Sequence, residues 1–312
     1  PAVEEIIRAR DSINRNFTSI YDFCANVDTR VVNKRTLEGL VLAGAFDSIN
    51  KNRAALFEAV ESGLEFGAKI KHSALSSVDS LFSELKDEMK IPEPPLPEVS
   101  QWPEREYLAK EREVIGFYVS GHPLQKYEVE YNSFTSIHLG ETDKMEDTDI
   151  VRACGVINSL RYKIDKSGRK MAFFTLDDLS GSCQCMMFSQ AYEKYGASLK
   201  EEENVFIIGK PESSGDSIKL QIAEVVPLEK AGDQFAESVK IFIDKKKHDV
   251  KQLHDLKDLF GEHKGKIPLY IHLSGNEPAK RVFFLESYKV KVTHKLIEDI
   301  VKLLGEDSIL LN

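Results

Sequence analysis

The sequence predicts a multidomain α+β protein: a helical N-terminal segment, a five-stranded β-barrel and a small α+β C-terminal domain. Three observations carry this. Apolar residues recur at helical spacing in the first part of the chain. From Arg152 to Leu228 five strand-like runs follow one another, with one helical insert after the third. Past Leu228, strand and helix patterns alternate.

Composition bounds the answer without naming a function. A chain of 312 residues has room for two or three domains, and 42% hydrophobic with 30% charged residues is the balance of a soluble globular protein. The net charge of -9 excludes a chain wholly devoted to coating nucleic acid, so any such contact must come from local basic patches. Cys24, Cys154, Cys183 and Cys185 show no zinc spacing. Cys183 and Cys185, two apart on a predicted strand, point to one face and read as reduced core thiols of a cytoplasmic protein. No apolar run reaches membrane-spanning length and no signal peptide opens the chain. Pro1 in place of an initiator Met, followed at once by helical sequence, reads as a piece of something longer.

The N-terminal elements follow in order. Ala2 to Arg10 is an amphipathic helix with Val3, Ile6 and Ile7 on one side, and Ser19 to Cys24 gives a second, short one. Asn33 caps a third through Leu37, Leu40, Val41 and Leu42, which ends at Ala43-Gly44-Ala45-Phe46-Asp47; Asn52 precedes a fourth from Arg53 to Val60. Two short helices joined by a tight glycine-containing turn form a candidate helix-hairpin-helix. In that motif, backbone N–H groups at the turn and at the next helix start hold a DNA phosphate without reading bases. Lys51 and Arg53 stand where added cations would help. The plainer reading of the glycine is a helix C-cap.

From Ser83 to Glu104, Pro92, Pro94, Pro95, Pro97 and Pro103 interrupt an acidic stretch, which predicts an extended linker. Just upstream, Val78-Asp79-Ser80-Leu81-Phe82 is a short acidic-apolar peptide. It suits docking into an apolar groove on a partner, and would equally anchor the linker to its own domain. Glu104 to Tyr118 forms a helix that ends in the turn Ser120 to Leu124. His122 there has no second ligand at metal spacing and reads as structural.

The barrel strands are Ala153 to Lys163, Met171 to Leu176, Cys183 to Phe188, Asn204 to Gly209 and Ser217 to Val226, with a helix from Ala191 to Leu199. Five strands with a helix between the third and fourth is the OB-fold order. Its first hairpin carries Arg161, Lys163, Lys166, Arg169 and Lys170 against only Asp165, a local basic tip suited to phosphates. Tyr162, or Phe173 at the start of the next strand, offers a stacking face for a base, while one of the adjacent Phe173 and Phe174 must enter the core. Beyond a short polar joint from Lys230 to Ala236, Val239 to Ile243, Leu269 to Leu273 and Val282 to Leu285 predict strands. Asp249 to Phe260 and His294 to Leu304 predict helices. No nucleophile, base and orienter stand at recognisable spacing.

The run Val31-Val32-Asn33-Lys34-Arg35-Thr36-Leu37-Glu38-Gly39-Leu40, continuing to Ala43-Gly44-Ala45-Phe46-Asp47, resembles the tandem helix-hairpin-helix segment of the bacterial replicative DNA polymerase III alpha subunits. Glu111-Arg112-Glu113-Val114-Ile115-Gly116-Phe117-Tyr118-Val119-Ser120-Gly121-His122-Pro123-Leu124 resembles the signature that precedes the OB domain in that family. The likeness runs through Met171-Ala172-Phe173-Phe174-Thr175-Leu176-Asp177-Asp178 and more loosely to the C-terminus.

The resemblance implies a division of the chain into 1–82, a helix-hairpin-helix segment for duplex DNA and clamp binding; 83–150, a proline-rich linker and connecting helix; 151–229, the OB-fold; and 230–312, the C-terminal α+β domain. It implies a non-catalytic C-terminal part of a nucleotidyltransferase: the palm carboxylates and their Mg would lie upstream, and no cofactor belongs to this piece. Ala43, Gly44, Ala45 and Phe46 would supply the phosphate-binding backbone for duplex DNA, with Lys51 and Arg53 assisting. Arg161, Tyr162, Lys163, Lys166, Arg169, Lys170 and Phe173 would meet single-stranded DNA. Val78, Asp79, Ser80, Leu81 and Phe82 would dock on the sliding clamp. They carry Val78 where the family usually has Gln, so weakened but surviving clamp affinity is expected. The clamp-loader tau subunit is a further implied partner of the last domain. Because the chain starts partway through the first hairpin, that repeat is incomplete. Two other classes stay open at this point: the tRNA-binding OB module of an aminoacyl-tRNA synthetase, whose ATP-binding signature is absent from these residues, and a protein-binding scaffold. The oligomeric state stays open, a monomer being what part of a subunit acting within a larger holoenzyme suggests.

Overall fold

Five strands close the predicted barrel. In the computed structural model, which describes residues 1–76, 91–144, 150–214, 217–275 and 281–312, they are β1 (Val151–Ile164), β2 (Lys170–Asp177), β3 (Ser182–Met187), β4 (Asn204–Ser214) and β5 (Ser217–Pro227). Their order is β1-β2-β3-β5-β4, closed by antiparallel pairing of β1 with β4; only β3 and β5 pair in parallel. Helix α8 (Ser189–Tyr195) lies in the β3–β4 connection, which completes the OB-fold order. Period-two alternation fills the interior with Ala153, Ile157, Phe174, Leu176, Cys185, Met187, Ile207 and Leu220, all buried. Cys183 and Cys185, the two cysteines of β3, face inward together, and burial pushes the Cys183 thiol up to about 11.

The chain forms two compact units, Pro1–His122 and Pro123–Asn312. In the second, α7 (Glu128–Phe134) precedes the barrel, and α9 (Leu228–Phe235), β6 (Val239–Asp244), α10 (Val250–Glu262), β7 (Lys264–Ser274), β8 (Arg281–Val290), α11 (His294–Leu304) and β9 (Ile309–Leu311) follow it. The second sheet runs β8-β7-β6-β9, with β6 and β7 parallel through the α10 crossover. Asp249 and Gln252 form a capping box at the start of α10. The expected polar joint from Lys230 to Ala236 is instead part of α9. Leu228 and Ala231, one turn apart, bury among the charges, and a Cβ on Gly232 would meet the Val292 carbonyl oxygen at 2.3 Å. Strand β9, three residues long, was too short for its alternation to show.

One core joins the barrel to the C-terminal sheet. Cys154, Val156, Phe206 and Val226, from the outer side of β1, β4 and β5, pack with Tyr131 and Phe134 of α7, Leu228 and Ala231 of α9, and Val239, Ile241 and Leu269 of the second sheet. This side of the barrel is therefore occupied. The outer side of β2 and β3 is left to solvent, with Gln184 exposed on β3 and Met171, Phe173, Thr175 and Met186 half-buried.

The first unit comprises α1 (Ala2–Ile13), α2 (Ile20–Asn26), α3 (Lys34–Leu42), α4 (Arg53–Glu58), α5 (Val60–Ser76) and α6 (Glu104–Ile115). Side chains of Ser19, Asn33 and Asn52 cap α2, α3 and α4. Arg53 and Glu111 are both buried and share a bond of 2.7 Å between Nη1 and Oε2. The Arg53 guanidinium also donates to both Asp47 carboxylate oxygens and to Ser120 Oγ. Glu111 accepts from the N–H groups of Val119 and Ser120. The motif from Glu111 to Ser120 is thus tied to the start of α4, which brings the expected connecting helix into the first unit. No described helix is long and apolar enough to cross a membrane.

Removing Arg53 leaves the buried Glu111 carboxylate without a cation, so Arg53→Ala is expected to destabilise the first unit by about 3–5 kcal/mol in urea unfolding. Glu111→Ala leaves Arg53 paired with Asp47 and should cost less. Burial alone would raise the Glu111 carboxyl, but hydrogen bonds from the Ser120 hydroxyl and N–H and from Arg53 outweigh it and hold it below its ordinary 4.5. A carboxyl depressed by folding contributes stability that is complete above its unfolded value and is lost as the pH falls through its folded value. The urea midpoint is expected to drop below pH 4.5, and this component of the pH dependence to vanish in Glu111→Gln.

Candidate nucleic-acid interface

Strand β1 changes face partway along. Asn158 pairs with Thr175 and Arg161 with Phe173, so Ser159 and Leu160 together oppose the single residue Phe174. This β-bulge holds Ser159 at φ 54, and Glu201 accepts a hydrogen bond from the Leu160 N–H at 2.9 Å. One extra residue inverts the alternation of everything after it. Leu160 packs against the barrel core, and Arg161 and Lys163 share the outer side with Phe173 and Met171.

The outer side then continues across strands that are distant in sequence. Arg161 pairs with Phe173, Phe173 with Met186, Met186 with Gln221 and Gln221 with Lys210, a row that crosses every strand of the barrel. Beside it, Thr175, Gln184, Lys219 and the exposed Glu212 form a second row. Directly paired residues project to the same side of a sheet. Phe173 is half-buried, with Lys163 Nζ 5.1 Å from its ring centroid, whereas its neighbour Phe174 enters the core. An aromatic face flanked by cations and amides is suited to stacking a base while its phosphates are neutralised.

The predicted single-strand residues do not all lie together. Tyr162 pairs with Ala172 and Ile164 with Lys170, so Tyr162 and Lys170 lie on the opposite side of the hairpin from Phe173. The Tyr162 ring meets Tyr192 of α8 edge-on at 5.9 Å. Lys166 and Arg169 are at the turn, where Gly168 takes φ 78. Asp165 accepts from the N–H groups of Ser167 and Arg169 and pairs with the Arg169 guanidinium at 3.0 Å, offsetting part of the tip's charge. Sequence reasoning missed Met186, Gln184, Gln221, Lys219 and Lys210. The inward pair Cys183 and Cys185 already implied that Gln184 and Met186 face outward. The β5 and β4 residues join only through parallel β3–β5 pairing, which no local pattern displays.

The hairpin residues of the first unit call for two corrections. Arg53, expected to assist a phosphate, is buried and spent on Asp47 and Glu111. The turn N–H groups, expected to bind the phosphate, close α3 instead: Ala43 donates to Gly39, Gly44 to Val41 and Ala45 to Leu40. This is a Schellman cap, in which Gly44 at φ 77 takes the left-handed position. A Cβ on Gly44 would come within 2.2 Å of the Arg53 guanidinium. Phe46 is buried, its ring 5.1 Å from that of Phe23, and Lys51 is exposed. The clamp peptide Val78, Asp79, Ser80, Leu81 and Phe82 lies outside the described residues.

Together the barrel and the hairpin place the chain among proteins that combine two nucleic-acid modules. Residues 151–228 match the family described as an OB-fold nucleic acid binding domain, and residues 1–56 match the helix-hairpin-helix motif. Over its whole length the chain is a relative of the DNA polymerase III alpha subunit. It is 29% identical over 313 residues to the Escherichia coli K12 subunit, covering 98% of this chain. It is 31% identical over 321 residues to that of Neisseria meningitidis serogroup B, covering 100%. The chain spans 27% of the length of both relatives. Among solved structures, the second OB-fold domain of replication protein A from Methanococcus maripaludis covers 28% of this chain and 92% of its own, with TM-score 0.24 and 14% identity.

The left-handed backbone at Ser159 gives the bulge a mutational signature. A β-branched residue is strained there, so Ser159→Val is expected to destabilise the second unit by about 1–2 kcal/mol in urea unfolding, whereas Ser159→Gly should leave it unchanged or slightly more stable.

Proposed function

We propose that this chain is a non-catalytic, DNA-holding part of a polymerase III alpha subunit, and that its barrel grips single-stranded template. The observation that carries this reading is the continuous outer row of Arg161, Phe173, Met186, Gln221 and Lys210, beside Lys163 and Lys219, on an otherwise acidic chain. Cations there neutralise phosphates, and Phe173 offers a stacking face that tolerates any base. The first unit, matched as a helix-hairpin-helix motif, lies against duplex DNA, with exposed Lys51 and Arg35 rather than Arg53 meeting phosphates. The segment from Val78 to Phe82 docks on the sliding clamp through Leu81 and Phe82, and the C-terminal domain meets the clamp-loader tau subunit. A cytoplasmic setting follows from that role. Nucleotidyl transfer and its Mg belong to the parent polymerase, and no step through them is assigned to residues of this chain.

Fluorescence anisotropy with single-stranded and duplex oligonucleotides at two salt concentrations tests the barrel. Arg161→Ala with Lys163→Ala is expected to weaken single-strand binding and to flatten the slope of log K against log salt by roughly 1.4, at about 0.7 per phosphate contact. Phe173→Ala should cost about 1–3 kcal/mol without changing that slope. Duplex binding should survive both; equal loss of duplex binding would assign the DNA contacts to the wrong unit. For the clamp, a peptide spanning Ala74 to Leu85 is expected to bind the cognate sliding clamp weakly. Absence of binding at high micromolar concentration would remove that assignment.

A further inference from the structure

The outer row of the barrel ends in a cavity. Pairing of β3 with β5 stops at Met186 and Gln221. Past that point β3 ends, Phe188 leads into α8, and β5 continues through Ile222 and Ala223. Between them opens a cavity of about 550 Å³, whose lining includes Phe188, Gln190, Lys194, Tyr195, Lys210 and Gln221 and, among the described residues, contains no Asp or Glu. Gln221 and Lys210 belong both to this lining and to the outer row, so the two surfaces are continuous. Lys194 and Lys210 are exposed, and among the described residues neither pairs with a carboxylate.

We propose that this cavity receives one nucleotide of the single strand, the one following those that lie along the Arg161 to Gln221 row. This rests on the reading of the barrel as a single-strand binder. The volume falls within the range of small-ligand sites. Phe188 and Tyr195 supply the apolar aromatic wall for the base, and the amides of Gln190 and Gln221 both donate and accept hydrogen bonds at its edge. Lys194 and Lys210 hold the adjoining phosphate. In an acidic chain, a lining with two lysines, two glutamines and two aromatics and no carboxylate fits a nucleotide better than a cation or a basic peptide.

The test uses the full chain, oligothymidylates of increasing length and anisotropy at two salt concentrations. Lys194→Ala with Lys210→Ala is expected to weaken binding about tenfold, to flatten the salt slope by roughly 0.7–1.4, and to abolish the affinity gained from the last nucleotide that still strengthens binding to the unmodified chain. The control pair Lys200→Ala with Lys230→Ala removes the same charge from the same unit outside the cavity and should change none of these; equal loss in the control overturns the proposal. Thermal unfolding followed by circular dichroism verifies that both variants fold. Unchanged affinity and slope in the cavity variant, with binding lost in Arg161→Ala/Lys163→Ala, overturns the cavity and leaves the barrel reading standing. Absence of single-strand binding by the unmodified chain at low salt overturns both.

Discussion

Strand β1 serves two neighbouring strands and two cores, and the extra residue at Ser159–Leu160 makes this compatible with an exposed basic face. Ahead of the bulge, Ala153 and Ile157 face the barrel interior while Cys154 and Val156 join the core shared with the C-terminal sheet. Beyond it, the outer positions carry Arg161 and Lys163, and Leu160 turns back to the barrel. With uninterrupted pairing, Leu160 and Tyr162 would face out and the two cations would turn toward the interior side, where desolvating a charge costs several kcal/mol. The same irregularity therefore protects the core and arms the surface.

Charge is distributed by the same logic of burial. The chain is acidic overall, yet the cations of the outer row are exposed or half-buried, and among the described residues no Asp or Glu lines the cavity at the end of the row. Arg53 is the opposite case, a cation sealed inside the first unit by Asp47, Glu111 and Ser120. Opening those bonds to reach a phosphate would strand Glu111 without its partner, a larger cost than one solvated phosphate contact returns. Arg53 consequently orders the turn around Gly44 and the Glu111–Ser120 motif, and in the proposed reading phosphates are met by the exposed cations of the barrel's outer row.

Much of the fold was legible because its signals are local. The alternation in the barrel strands, the Asn33 and Asn52 caps, and the period of α10 and α11 each lie within a dozen residues or so, and each element formed where its pattern stood. Helix α9 was obscured because its buried residues are a minority among Glu229, Lys230, Asp233 and Gln234. The site was legible in part. The basic hairpin could be seen, but a bulge is invisible in sequence, so Tyr162 and Phe173 looked like equal candidates when pairing puts them on opposite sides. Met186, Gln221 and Lys210 become neighbours only through the closure of the barrel. The turn at Gly44 showed the ambiguity of a glycine after a helix: one sequence serves a phosphate loop or a C-cap, and the hydrogen bonds of Gly44 and Ala45 to α3 decide for the cap.

The most direct measurement is photo-crosslinking of the full chain to single-stranded oligonucleotides carrying 5-iodouracil at successive positions, with attachment sites located by mass spectrometry. Attachment at Phe173, Met186 and their neighbours on the outer side of β2, β3 and β5, sparing Tyr162 and the C-terminal sheet, is the expected result. Attachment centred on Tyr162 and Tyr192, or confined to the C-terminal sheet, would contradict the assignment of the single strand to the outer row.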